Sequence, residues 1–260
     1  MSSRDLSFLN DISEDDKRLL SRFLDWTDMA GEKYITKYSA FLDERQCRLC
    51  EKVMASVKYE NYLLWGGYEG AERKMLCVYP QYGNDDIIGS FPMTAVTFRY
   101  RKEDKPDHRA FLGSLMALGI TRDSVGDILV GEGSTSVFVK DTAARDVLGI
   151  SKVGRIGVKP EEGFDAASVK APEFREITGT VASLRLDCVL ALALRVSREK
   201  AAALIKGGAV EVSHVRTDRV GSQVEVGDKI SARGYGKFLV KSVDGVSHKD
   251  RLHITVCKYI

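Results

Sequence analysis

Residues 183–212 read SLRLDCVLALALRVSREKAAALIKGGAVEV and hold two helical patterns followed by a strand. Leu186, Val189, Leu190, Ala193 and Leu194 recur at i, i+3, i+4, i+7 and i+8, the spacing of one buried helical face. A second helix starts after Ser197, whose hydroxyl can accept from an amide that the first turn leaves unpaired; Glu199 and Lys200 suit that start. Ala201, Leu204 and Ile205 share a face, and Gly207-Gly208 tolerates the left-handed backbone of a helix end. Val210 and Val212 alternate with Glu211, as in a half-buried strand. The local fold leaves the purpose of the charges on Arg198, Lys200 and Lys206 open. At about 100° per residue they do not line one stripe, so a surface that uses them must draw on both helices and a loop.

Downstream, AVEV, SQVEV and KISARGYGKFLV carry strand signals, VGD marks a turn, and Tyr235 stands between Gly234 and Gly236, where the backbone must bend or approach something closely. Two short helices on a small, curved sheet account for all of it. Upstream, EITGTVASLR leads into this module, and Lys159–Glu176, which contains two of the five prolines and no strong period, reads as a linker.

From about Met93 the order is strand (TAVTFRYR), helix (HRAFLGSLMALG), strands (DILVG, TSVFVK), helix (DTAARDVLG), strand (GRIGVKP). That βαββαβ order belongs to the ferredoxin-like unit, with helices on one face of an antiparallel sheet and the other face free to bind. RNA-recognition domains of this type stack bases on aromatics of the central strands. Here Phe98 and Tyr100 fall on an expected outer strand, and the usual aromatic signature has no close match. The first 55 or so residues look helical: Ser13 precedes an acidic turn and the apolar face of DKRLLSRFLDWTDMA, and a second helix is expected over SAFLDERQCRLCEKVMASV. NYLLWGG and MLCVYP then read as strands. The expected class is α+β. Residues 1–90 form an N-terminal α+β domain, 91–160 a ferredoxin-like domain, 161–176 a linker, and 177–260 a small α+β RNA-binding domain with a C-terminal strand.

A chain of 260 residues, 44% hydrophobic and 29% charged, has the material of a multidomain globular protein. The start, MSSRDLSFLN, lacks a basic and then apolar signal, and no stretch nears the roughly 20 apolar residues of a membrane span. A cytoplasmic protein is expected, with no membrane partner. Five scattered cysteines fit reduced thiols. The net charge of +2 is uneven: Ser183–Lys241 holds eleven Lys or Arg against six Asp or Glu, an excess of five, so the rest of the chain carries −3. Such asymmetry points to a polyanion-binding module on a more neutral body, and is also compatible with a soluble surface.

RLDxxL (Arg185–Leu190), SRxxAxxLIKxGxVxV (Ser197–Val212) and VEVGDKISARGYGKFLV together resemble the RNA-binding domain named after ribosomal protein S-four. The resemblance implies that Arg185, Ser197, Arg198, Lys200, Lys206 and the loop with Arg233, Tyr235 and Lys237 lie at or near RNA, with His214, Arg216 and Arg219 beside them. Where many such modules turn with Asn-Gly, this chain has Ser213-His214; a type I′ turn is less favoured there, and a longer or differently tilted loop is expected. With GGYEGAERK (Gly66–Lys74) and HRAFLGSLMALGITRDSVGDILV (His108–Val130), the whole is similar to the bacterial YlmH-type RNA-binding proteins. That resemblance implies rRNA and tRNA as partners on the large ribosomal subunit, and a part in the rescue of stalled translation.

Other motifs have plainer readings. CRLC (Cys47, Cys50) lacks two further ligands at zinc spacing and suits helix packing, so no metal is expected. GGYEG has neither GxGxxG order nor the Lys-Ser/Thr pair of a P-loop; it reads as a turn, with Glu72, Arg73 and Lys74 available to RNA or a partner. Asp107 caps the helix that starts with His108 and Arg109, while Arg122 and Asp127 suit surface pairs or RNA contacts better than catalysis. RLD at 185–187 is similar to a catalytic motif of pseudouridine synthases, yet it opens a binding-module helix and no catalytic domain follows it. Tyr235 can stack on a base or close the small core. The expectation is a non-enzymatic RNA-binding protein with no cofactor and no small-molecule substrate. The competing readings are an RNA-modifying enzyme that docks substrate through the terminal module, and an interaction protein of the division machinery.

Overall fold

Ser13 begins the first helix as its spacing predicts. Its hydroxyl accepts from the Asp16 amide at 3.1 Å, and the Asp16 carboxylate accepts from the Ser13 amide at 3.2 Å, a closed capping box. The computed structural model describes residues 9, 12–82, 86–165, 174–213, 215–246 and 250–260. The chain divides into two compact units, 1–169 and 170–260.

In the first unit α1 (Glu14–Lys33) buries Leu20, Phe23 and Leu24. The stretch expected as one second helix is two elements, β1 (Lys37–Leu42) and α2 (Glu44–Ser56). Asp43 explains the break: it caps α2 with extended backbone, its carboxylate accepting from the Gln46 amide at 2.7 Å, so SAFL cannot join the helix. Tyr38 and Phe41 instead lie opposite Cys77 and Met75 of β3 (Lys74–Val78), which also pairs with β2 (Tyr62–Trp65). Arg45 of α2 donates to Asp16 at 2.8 Å and ties the two helices together.

Next come β4 (Met93–Arg99), α3 (His108–Ala117), β5 (Val125–Val130), β6 (Ser134–Lys140), α4 (Asp141–Leu148), the short pair β7 (Lys152–Val153) and β8 (Ile156–Gly157), and β9 (Lys159–Glu162). The larger sheet runs β5-β6-β4-β9 with every neighbour antiparallel. Strand β4 is therefore central, not outer. Phe98 on it faces the helices, tilted against Phe111 of α3 at 5.4 Å between ring centroids.

The sheet's other face, expected to be free, is covered. Successive strand residues point to opposite faces, so Val137 and Val139 pack with α3 and α4 while Phe138 packs with Phe41, Met75 and Phe91. The sheets separate near residue 90, but their side chains share a core. Two stretches at the ends of the expected linker are strands: β9 pairs with β4, and β10 (Phe174–Val181) pairs with the last strand. Its centre, 166–173, lies outside the described residues.

The second unit continues with α5 (Leu186–Leu194), α6 (Arg198–Lys206), β11 (Val210–Val212), β12 (Val215–Arg216), β13 (Lys229–Ala232), β14 (Gly236–Val246) and β15 (Leu252–Tyr259). One antiparallel sheet, ordered β10-β15-β14-β13-β11-β12, packs its inner face on Leu186, Val189, Leu190, Ala201 and Ile205 of the two helices. SQVEV is not a strand of this sheet. Its backbone bonds go to the segment entering α5, with the Leu186 amide donating to Ser222 and the Val224 amide to Leu184. Strands β11 and β12 pair with Val212 opposite Val215, so of the longer or differently tilted loop expected there, the lengthening does not occur. Ser213 carries the left-handed φ of 49° there, held by its own hydroxyl donating to Asp228 at 2.7 Å and its amide donating to the Lys229 carbonyl at 2.7 Å.

Gly67, in the GGYEG turn, has φ +97°, and a Cβ there would sit 2.3 Å from the Phe138 ring. Gly67→Ala combines backbone strain with a clash in the shared core. It is expected to cost about 3 kcal/mol and to lower the melting temperature of the first unit, read by circular dichroism.

Candidate nucleic-acid interface

Helix α5 carries an acid into an apolar setting: Asp187, between buried Leu186 and Cys188, is 4% exposed. A carboxylate removed from water needs charge-assisted partners. Two arginines supply them. Arg198, the first residue of α6, donates Nε and Nη2 to Oδ2 at 3.0 and 2.6 Å, and Arg185, the N-cap of α5, donates Nε to Oδ1 at 3.2 Å. Burial works to raise the Asp187 carboxyl, but the hydrogen bonds and charges of Arg198 and Arg185 outweigh it and hold the group below its ordinary 3.8. The arginine side chains stay 43% and 56% exposed. Each is anchored at one edge and open to solvent at the other.

A second basic group lies at the far end of α6, about 13 Å along a nine-residue helix. An open groove of about 530 Å³ is lined there by Arg216, Arg233 and Lys237, with Gly208, Glu211 and Ser231 between them. Gly208 takes φ +63°, and a Cβ on it would come 2.3 Å from Nη2 of Arg216. The Arg216 guanidinium thus lies against the backbone that closes α6, where cations favour the helix dipole.

The residues expected at RNA fall into these two groups with some exceptions. Ser197 is the α6 cap, its hydroxyl accepting from the Lys200 amide at 3.2 Å. Lys200 and Lys206 are exposed on the first and last turns of α6. Arg219 is exposed in the loop after β12. Tyr235 is half-buried against the core, which favours its core-closing role. His214 lies outside the described residues. Arg198 was expected at RNA; the structure adds that it belongs to a three-residue ion cluster with Arg185 and Asp187.

In the first unit the polar groups turn inward. Asp127 accepts from the Tyr68 hydroxyl at 2.8 Å and from the Glu72 and Arg73 amides at 2.7 and 3.0 Å, which pins the GGYEGAERK turn. Arg73 donates to the carbonyls of Val125, Phe41 and Arg122, and Arg122 to those of Val125 and Gly126. Burial, then the adjacent Arg73 charge, lowers Arg122 to about 10. So Arg73 is a latch between strands, where an RNA or partner contact was expected. Asp107 caps α3 as expected, accepting from the Ala110 amide at 2.8 Å. Cys47 and Cys50 are buried packing residues of α2, and burial pushes the Cys47 thiol up to about 12. Among the described residues no group of three or more His, Cys, Asp or Glu is placed to hold a metal ion, and no helix is long and apolar enough to cross a membrane.

Sequence reasoning missed Asp187, set aside as part of an enzyme-like motif. The signal was present: an acid on the buried side of an apolar helix demands cationic partners, and Arg185 and Arg198 bracket it.

A family model described as a putative RNA-binding domain in YlmH matches residues 90–163, and the S4 domain model matches 184–230. The ribosome-associated protein quality control protein P2 of Bacillus subtilis (strain 168) is 32% identical over 248 residues, covering 93% of this chain and 95% of its own. A solved structure of the cell division protein ylmH from Streptococcus pneumoniae superposes with a TM-score of 0.51 at 19% identity, over 62% of this chain and 99% of that one. At that identity it shows the fold alone.

Asp187→Asn separates positioning from charge. Removing a negative charge tightens RNA binding if only net charge matters; loss of the clamp weakens it by about tenfold, which filter binding with a structured RNA would read. The Asp187 carboxyl is lower in the folded chain than in the unfolded one, so its stabilisation is present above the ordinary 3.8 and lost as pH falls through the depressed folded value. Acid unfolding of Asp187→Asn is therefore expected to be flatter below about pH 4 than that of the parent.

Proposed function

Because the chain belongs to the YlmH family of S4-domain RNA-binding proteins, we propose that it holds rRNA, tRNA or both on the large ribosomal subunit during quality control of stalled nascent chains. It is a non-enzymatic RNA-binding protein of that family. The ribosomal part of this reading is supported by the name of the Bacillus subtilis relative, whose length the chain matches almost throughout. The observation that carries the RNA surface is the arginine pair aimed by a buried carboxylate. Arg185 and Arg198 contact phosphates at one end of α6, and Lys206, Arg216, Arg233 and Lys237 at the other. Lys200, Arg219 and His214 flank them, while Ser197 and Tyr235 shape the surface. Phosphate contacts fix register and carry little sequence information, so RNA shape decides the site.

The strand order β5-β6-β4-β9, with α3 and α4 on one face, supports a ferredoxin-like assignment for residues 91–160. Its covered second face argues for a scaffold role there instead of base stacking on the sheet. Arg73, Arg122 and Asp127 form inward hydrogen bonds, which speaks against the RNA-modifying alternative. The ribosomal reading also implies action in the cytoplasm.

Lysate sedimented on sucrose gradients is expected to show the protein with large subunits at low salt and at the top at high salt; a protein at the top in both sinks the ribosomal reading. Neutralising about five phosphates gives a log-log salt slope of roughly −3.5 to −4.5. Arg198→Ala strips a partner from buried Asp187, so Lys206→Ala with Arg233→Ala is the cleaner test of the surface. That double variant is expected to keep its melting temperature and to lose about two units of salt slope.

A further inference from the structure

One line of residues crosses all six strands of the second unit's sheet. Arg216 stands opposite Glu211, Glu211 opposite Ser231, and Ser231 opposite Lys237. Lys237 Nζ lies 5.4 Å from the Tyr259 ring centroid, and Tyr259 stands opposite Phe174 with the rings 4.9 Å apart and 68° between their planes. The strand neighbours of this line, Val210, Ile230, Ala232 and Phe238, are buried under the helices, so the line itself faces away from them. Lys229, on the same face as Ser231, also lies over the Tyr259 ring at 5.8 Å.

We infer that this outward line carries RNA beyond the basic groove to an aromatic shelf of Tyr259 and Phe174, where unpaired bases stack. The inference rests on the RNA-binding reading above and extends it to a single-stranded segment. Continuity supports it: Lys237 lines the groove and touches the shelf, so a strand leaving the groove meets the shelf next. Charge complementarity supports it as well, because Lys229 and Lys237 put cations where a backbone passing the rings would place its phosphates. An aromatic pair that served only to close the core would face the helices, yet Phe174 is 40% exposed on the opposite face. Glu211, the one acid of the line, faces Arg216; it repels phosphate and accepts from a base N–H or a ribose hydroxyl, so the backbone runs along the lysine side. Bases in a duplex are already stacked on each other, which makes unpaired nucleotides the fitting occupant. The S4 match ends at residue 230, so β14 and β15, which carry Lys237 and Tyr259, lie outside it.

The test uses the full chain and fluorescence anisotropy with an RNA hairpin, either blunt or extended at one end by about four unpaired nucleotides, each end in turn. One of the two extensions is expected to tighten binding about tenfold. Tyr259→Ala removes that gain and leaves the blunt hairpin's affinity unchanged, while Tyr259→Phe retains the gain. No gain from either extension in the parent protein, or a gain that survives Tyr259→Ala combined with Phe174→Ala, overturns the shelf. Loss of blunt-hairpin binding in the parent would instead overturn the RNA-binding reading on which the shelf rests.

Discussion

A carboxylate kept from water organises the surface of the second unit. Asp187 cannot stay ionised at 4% exposure without strong donors, and the two that satisfy it come from different elements, one leading into α5 and one beginning α6. The same contacts therefore fix the approach of the two helices and the direction of two guanidinium groups. Side chains already held in place lose less freedom when they bind, so under the proposed RNA contact the clamp raises affinity by pre-organising the two guanidinium groups. The acid cancels one charge of the pair and leaves a net positive edge.

The first unit uses its acid differently. Asp127 takes donors from a tyrosine and two backbone amides, and Arg73 and Arg122 bond to carbonyls, so this network locks a turn to a strand. Its larger sheet is packed on both faces, by helices on one and by Phe41 and Met75 on the other. The second unit's sheet is packed on one face and bears lysines and aromatics on its other side. The contrast separates a sheet buried between two layers from one whose face away from the helices carries Lys229, Lys237, Phe174 and Tyr259.

Local chemistry explains what could be read from the sequence. Helices α1, α5 and α6 were legible because caps and apolar spacing act within a few residues; Ser197 makes its predicted bond, and Ser13, placed before an acidic turn, closes a capping box. Strand β1 was not, because SAFL is extended by pairing with residues more than thirty positions away and by the cap at Asp43. SQVEV has strand composition but spends its backbone bonds on the entry to α5. The Ser213 turn defied propensity because Asp228, distant in sequence, holds its hydroxyl. For the site, the basic residues were visible in the motif, whereas the clamp and the line across the sheet exist only once separate elements meet. Phe174 and Tyr259 lie eighty-five positions apart, and no periodicity joins them.

The pairing of β10 with β15 has a topological consequence. Phe174 and Tyr259 are direct partners in the ladder, so the start of β10 and the end of β15 lie roughly 5 Å apart. A unit closed in this way behaves as a cassette. It can hang from a host at a single attachment point, or be inserted into a surface loop, without forcing the host's own ends apart.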